Sequence, residues 1–338
     1  MSKNRKRKAN LKSSILILLL MAILLTASTY AWFTANKTVR VSTLNVNVQA
    51  QNGLQISADG EKWKSVLDLA DITPDTIVNT YPTSANQIPT VLESVSTAGL
   101  IDTAGAKGMM NMYYGKIEAD DALGKLTATK EPAETNGTEG KYIAFDMFLR
   151  VYKETAITLT ENSGVTYVGD NDKGLQNASR VAFCFQGTKP VGTPASELQG
   201  LYGATDFGEE GSTTYIWEPN SDAHTAAGAA NADQTYGIET SAGTGQAPVP
   251  YYGIKDAITE GIPLDQTNSG SPNESYFVAV DPTWKTNATM TDTTVFTLKA
   301  GITKVRVYMW IEGQDVDCEN DASGSDIKFD MEFTAQDA

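Results

Sequence analysis

Asp315, Asp317, Glu319 and Asp321 fall at alternate positions of the segment Glu312-Gly313-Gln314-Asp315-Val316-Asp317-Cys318-Glu319-Asn320-Asp321. Oxygen ligands so spaced can converge on Ca2+ when a loop wraps the ion. The segment departs from an EF-hand, since Asn320 stands where that loop needs glycine and no helical pattern flanks it. A solvated acidic turn between two strands is the competing reading. Asp170-Asn171-Asp172-Lys173-Gly174 is a shorter run of the same kind and reads as a turn. His224 is the one histidine, and so the one side chain whose ordinary pKa suits proton transfer near neutral pH. It borders an Ala/Gly-rich stretch, which favours a surface or hydrogen-bonding role over catalysis. Cys184 and Cys318 are the two cysteines. Joined across so long a loop they would add up to about 5 kcal/mol of stability; otherwise they are two buried thiols acting as small apolar residues. Their spacing fits no metal motif.

Motifs for other chemistry are missing. The chain has no G-x-S-x-G, H-E-x-x-H, Walker A or dinucleotide fingerprint. Paired carboxylates of the glycosidase kind cannot be read from spacing alone. The expectation is a protein without enzymatic activity, with no cofactor other than calcium.

The elements that must position these residues begin at a distinctive N-terminus. Lys3, Arg5, Lys6, Arg7, Lys8 and Lys12 precede an unbroken apolar run from Ile15 to Leu25, and small residues then close on Tyr30-Ala31-Trp32-Phe33. A cationic start, a short apolar core and small residues before a cut are the layout of an export signal. Residues 1–31 are therefore expected to be a signal peptide, cut between Ala31 and Trp32, or else an uncleaved membrane-anchor helix. The strictly apolar run is shorter than the roughly 20 residues that span hydrocarbon, which favours cleavage. Secretion or display at the cell surface follows, with membrane attachment if the segment is retained.

Without residues 1–31 the chain keeps 20 basic against 41 acidic residues, a net charge of about −21. Phosphate backbones bind basic faces, so nucleic acid is excluded as a partner. Asn36, Asn136, Asn177, Asn273 and Asn287 head N-x-[ST] sequons, which matter only in a glycosylating host.

Beyond the leader the hydrophobic period is two. Val39 and Val41, then Leu44, Val46 and Val48, alternate with polar residues, and the change of phase near Thr43 predicts a bulge. A hairpin is expected around Ala58-Asp59-Gly60, running to Trp63. Further strands are expected at 142–152, 156–160, 165–168, 180–186, 214–217, 275–280, 293–299, 304–312 and 326–334, with the last two paired. Short helices are expected at 64–72 and 253–260. This pattern predicts an all-β chain, a β-sandwich or jelly-roll, as one domain over 32–338 with long loop insertions at about 75–140 and 187–274.

The junction Thr29-Tyr30-Ala31-Trp32-Phe33-Thr34, feeding directly into the strand from Val39 to Val48, resembles the start of the TasA/camelysin-type exported proteins of Gram-positive bacteria. The resemblance covers about 50 residues. It implies cleavage by a SipW-type signal peptidase, a jelly-roll subunit and assembly into biofilm-matrix fibres by addition of an N-terminal strand. Trp32, Phe33, Val39 and Val41 would be the residues of that strand, and the partners would be further copies or other surface and matrix proteins. The long insertions and the Trp-Ile-Glu-Gly-Gln-Asp segment at 310–315 have no counterpart in that pattern. A strand from residues 36–50 could equally pair within its own sheet. The alternative function is binding of a ligand or glycan, with Trp63, Trp217 or Trp284 as stacking platforms.

Overall fold

The computed structural model describes residues 38–49, 53–106, 108–118, 124–169, 172–203, 214–267, 272–285, 293–318 and 324–337. The leader, the cut between Ala31 and Trp32, Phe33, Glu319 and Asp321 lie outside these residues. Strands dominate. In chain order they are β1 (Thr38–Val48), β2 (Gln55–Ser57), β3 (Val66–Asp68), β4 (Val91–Val95), β5 (Tyr113–Glu118), β6 (Lys125–Lys130), β7 (Ile143–Val151), β8 (Thr155–Leu159) and β9 (Gly164–Val168). They continue as β10 (Ser179–Lys189), β11 (Thr214–Glu218), β12 (Tyr251–Ile254), β13 (Ile258–Pro263), β14 (Phe277–Val280), β15 (Trp284–Lys285), β16 (Thr293–Leu298), β17 (Gly301–Glu312) and β18 (Ser325–Asp337). The helices are short: α1 (Leu69–Ile72), α2 (Pro74–Ile77), α3 (Ala195–Gln199) and α4 (Ala226–Tyr236). Among the described residues no helix is long and apolar enough to cross a membrane.

Two sheets form the main body. In the first, β18 lies between β1 and the consecutive strands β8 and β9, with β16 beyond β8 and with β3 and β4 on the other edge of β1. In the second, β17 lies between β10 and β7, with β11 and β15 beyond β10 and β2 beyond β7. β4 links them, pairing Leu92 with Val39 of the first sheet and Ser94 with Ile311 of the second.

The alternation of apolar residues explains how the sheets meet. Val39, Leu44 and Val46 of β1, Phe329 and Phe333 of β18, Phe145 and Met147 of β7, Phe183 of β10 and Val305 and Val307 of β17 belong to one buried core. Phe183 sits 5.8 Å from Phe333 and 5.9 Å from Phe296, both edge-on, which joins the sheets through aromatic contacts. The expected bulge is present: the β1–β18 register shifts between Val41 and Thr43.

The pairing of the last strands differs from the sequence expectation. β18 does not pair with β17, because both edges of β17 are occupied by β10 and β7 and both edges of β18 by β1 and by β8 and β9. Val39 and Val41 likewise lie inside this molecule's own sheet, buried and paired with Ser325 and Ile327.

The stretches expected to be long loops are built. Within 75–140 lie β4, β5 and β6, and within 187–274 lie β12 and β13, where a helix over 253–260 is replaced by strands. Of the helix expected over 64–72, only Leu69–Ile72 is helical, after the strand Val66–Asp68. β5, β6 and β13 form a small sheet, β12 pairs with β14, and α4 packs beside them through Ala232. This added layer has its own apolar cluster around Tyr113, Leu126, Ile258 and Phe277. A third cluster, with Met110, Met112, Tyr251 and Val280 against Tyr308 and Trp310, seats it on the outer face of β17.

Candidate functional site

On β17 the residues alternate strictly. Val305, Val307, Met309 and Ile311 face the main core, and Lys304, Arg306, Tyr308, Trp310 and Glu312 face the other way. A polar face on an antiparallel sheet is ordinarily left to water. Here the added layer covers it, and every one of those residues is buried. Charge placed away from water is costly unless it is paired and hydrogen-bonded. The seam between β17 and the covering segments consists of groups that meet this demand.

Its first half centres on Asp146, directly across the strand pair from Arg306. Arg306 Nη1 donates to Asp146 Oδ1 at 2.9 Å, Lys304 Nζ lies 3.1 Å from Oδ2, and the Tyr81 hydroxyl donates to Oδ2 at 2.7 Å. Burial alone would raise the Asp146 pKa, but the two cations overcome it and hold the carboxyl at about 2. Burial lowers the pKa of Lys304, with Asp146 opposing that shift. Lys304 also donates to the carbonyls of Gln199 and Leu201 at 2.9 and 2.8 Å, and Arg306 donates to the Ala85 carbonyl at 2.8 Å. Glu134 lies 3.7 Å from Arg306 and accepts from the Tyr142 hydroxyl at 2.9 Å. Two cations thus meet two carboxylates.

The second half centres on Arg180 of β10, which is fully buried. It pairs with Glu218 at 2.8 Å and with Asp315, and its guanidinium lies 5.2 Å from the centre of the Tyr251 ring. Glu312 accepts from Trp310 Nε1 and from the Gln314 N–H, each at 3.0 Å. Burial dominates its titration and pushes its pKa up to about 7 against those hydrogen bonds.

Within the acidic segment, Asp315 and Asp317 are engaged by protein groups. Asp315 Oδ1 accepts the Asp317 N–H at 2.8 Å while Oδ2 faces Arg180. Asp317 Oδ1 accepts the Thr225 N–H at 2.7 Å, and Oδ2 lies 2.9 Å from His224 Nδ1. Among the described residues no three His, Cys, Asp or Glu side chains are grouped to hold a metal. Asp315 and Asp317 serve as counter-charges and as a support for the start of α4, whose first turn Thr225 caps by accepting from the Gly228 N–H at 2.9 Å.

His224 uses both ring nitrogens, its Nε2 lying 2.9 Å from the Ala247 carbonyl oxygen. Burial works against its charge, yet the Asp317 and Ala247 hydrogen bonds prevail and raise its pKa to about 9. At neutral pH it is an imidazolium donating twice, which suits anchoring and not general-base chemistry. Cys184 and Cys318 form no disulfide. Both are buried, in two different core clusters, and burial pushes the Cys184 thiol up to about 12. They act as apolar fillers.

Two of the three expected stacking platforms are also occupied. Trp217 has no exposed surface, and Trp63 is capped by the Arg150 guanidinium 4.0 Å from its ring centre. The side chain of Trp284 is outside the described set. What sequence reasoning missed is an open cleft of about 490 Å3 beside His224, lined from β9, the 172–177 turn and the loops at 220–225 and 243–244. Its lining comes from separate segments with no shared period, so no motif announced it.

Removing one member of the seam should leave a buried charge without its partner. Arg306→Met is expected to cost about 3–5 kcal/mol, read as a lower midpoint in urea unfolding. Glu312 and His224 both titrate above their ordinary values, so each contributes stability that disappears as pH rises. Glu312 acts between about pH 4.5 and 7, and His224 between about pH 6.5 and 9. Each contribution is up to about 3 kcal/mol. Stability measured by tryptophan fluorescence should fall across both windows. Glu312→Gln should flatten the first and His224→Gln the second.

Comparison of the chain with protein-family models, curated proteins and solved structures finds no match.

Proposed function

We propose that the protein is an exported, non-enzymatic β-sandwich of the cell surface or extracellular matrix, which carries load between its two ends. One observation supports the load-bearing role. β1, the first strand after the leader, and β18, the last strand of the chain, are parallel neighbours, in register from Val39 opposite Ser325 to Val48 opposite Phe333. Parallel pairing makes the N-terminus leave at one end of the sheet and the C-terminus at the other. Tension between the ends then acts along the strands, so the hydrogen bonds of the pair must shear together and cannot open one at a time. Asn45 adds a side-chain bond within the pair, donating to Asp330 at 3.0 Å.

The leader pattern supports export, and a retained leader would tether one pole of the sheet to the membrane with the C-terminus directed outward. The protonated, doubly bonded His224 and the buried thiols support a role without catalysis. Self-association belongs to the same proposal. With β1 committed internally, strand addition in the manner of a jelly-roll fibre subunit would fall to Trp32 and Phe33, which lie outside the described residues.

Mass spectrometry of the protein recovered from producing cells should find the mature N-terminus at Trp32, and a cytoplasmic chain starting at Met1 would oppose export. In single-molecule stretching, pulling through the two termini should require a rupture force several times that needed when the C-terminal handle is moved to Asp326→Cys. That second geometry peels β1 from β18 one bond at a time. Equal forces would remove the load-bearing role.

A further inference from the structure

The cleft beside His224 is a built feature. Asn220, held at a positive φ of 55°, donates through Nδ2 to the Val165 carbonyl at 2.7 Å and ties its loop to β9. Asp222 accepts the Gly245 N–H at 2.9 Å, and the His224 and Gly243 backbones exchange bonds of 3.0 and 2.8 Å, fixing the opposite wall. The Asp317 carboxylate then clamps His224 and Thr225 beneath it. Gly174 closes the third side so tightly that a Cβ there would lie 2.1 Å from the Thr225 methyl group, and its φ of +81° also demands glycine. Walls this constrained need little ordering when a ligand enters.

The lining states what that ligand must be. Asn177 is more than nine-tenths buried and lines the cleft. Beside it Gln176 donates to Asp172 Oδ1 at 2.8 Å but keeps a buried amide oxygen without a partner. Asp172 and Thr244 add an acceptor and a hydroxyl at the rim, and the half-exposed Tyr167 adds a flat apolar face. Among the described residues no lysine or arginine lines the cleft, and the imidazolium of His224 spends both N–H groups internally. Phosphates and carboxylates therefore lack a counter-charge, while a purely apolar ligand would strand the amides and the carboxylate. Amides, hydroxyls and a carboxylate beside one aromatic face suit a neutral, hydroxyl-rich ring whose C–H face can lie on Tyr167. The volume lies within the ordinary range for small-ligand sites, about 300–1,000 Å3.

We propose that this cleft is a saccharide-binding site for a neutral mono- or disaccharide unit, with Asn177 and Asp172 taking its hydroxyls and Tyr167 its ring face. The site is independent of the load-bearing role, since it lies at the edge strand β9 and not in the β1–β18 pair. On a surface protein it would hold a glycan of the surrounding matrix or envelope.

The test is saturation-transfer NMR on the mature chain with N-acetylglucosamine, its β-1,4 disaccharide, cellobiose and maltose, and with inorganic phosphate titrated separately by protein-observed shifts. At least one sugar should show transfer. Asn177→Ala should weaken its binding about tenfold, as loss of a buried hydrogen bond implies, and Thr244→Trp, which fills the cleft from an exposed position, should abolish it. Absence of transfer from all four sugars overturns the proposal. So does binding that survives Thr244→Trp, or phosphate shifts confined to the cleft residues without sugar transfer. A folded Thr244→Trp protein keeps the result readable if Asn177→Ala fails to fold.

Discussion

Arg306 and Asp146 face each other across the β17–β7 pair, and the covering segments of the molecule are arranged around the need to keep that ion pair dry and fully bonded. A buried guanidinium presents five donors, and one carboxylate cannot satisfy them. The remaining capacity is taken up by the Tyr308 hydroxyl on the same strand and by the Ala85 carbonyl and Glu134, which come from segments distant in sequence. Lys304 makes the same demand two residues earlier, and is met by Tyr81 and by the carbonyls following α3. Segments that look like optional insertions are thus partners to charges already fixed on the sheet. Their backbone carbonyls are as necessary as their side chains.

The same logic carries to the far end of the seam. Arg180 draws Glu218 and Asp315 inward, Asp315 fixes the turn that carries Asp317, and Asp317 anchors His224 and the first turn of α4. The loop so anchored forms one wall of the cleft beside β9. A chain of counter-charges therefore links the middle of the second sheet to an open surface site, which accounts for a buried imidazolium in a molecule without evident proton chemistry. Its raised pKa follows from position, and its service is mechanical.

Much of the main body was legible because period two is a strong signal. The strands of β7, β8, β9, β10, β17 and β18 fall where alternation placed them, and the slip near Thr43 is a real bulge. Pairing was not legible, since alternation says which face is buried but not which strand lies alongside. Lys304, Arg306 and Glu312 alternate with Val and Ile as solvent-facing residues would, and only the covering layer makes them interior. The strands β5, β12 and β13 are each interrupted by a glycine and β6 carries mostly Thr and Lys, so no apolar alternation separates them from loop. α4 lies in an Ala/Gly-rich stretch that shows no amphipathic period. Its signals were present all the same: Thr225 at the N-cap, alanines within and Gly237 in the left-handed conformation at its end. The cleft had no sequence signal, because its residues come from four separate segments.

Replacing a buried ion pair by apolar residues often stabilises a protein, so the persistence of this seam calls for a reason beyond stability. Register supplies one. Both faces of β17 are buried, and a one-residue slip would send every side chain to the opposite face. If β17 carried apolar residues on both faces, the slipped and native pairings with β10 and β7 would bury similar surfaces and differ little in energy. With Lys304, Arg306 and Glu312 on one face only, a slip would drive three charged groups among Phe145, Met147 and Phe183, away from Asp146 and Tyr81. No apolar gain of comparable area could offset that. The charges fix which face of β17 meets the main core, and the long register of β10 and β7 along it follows from that choice.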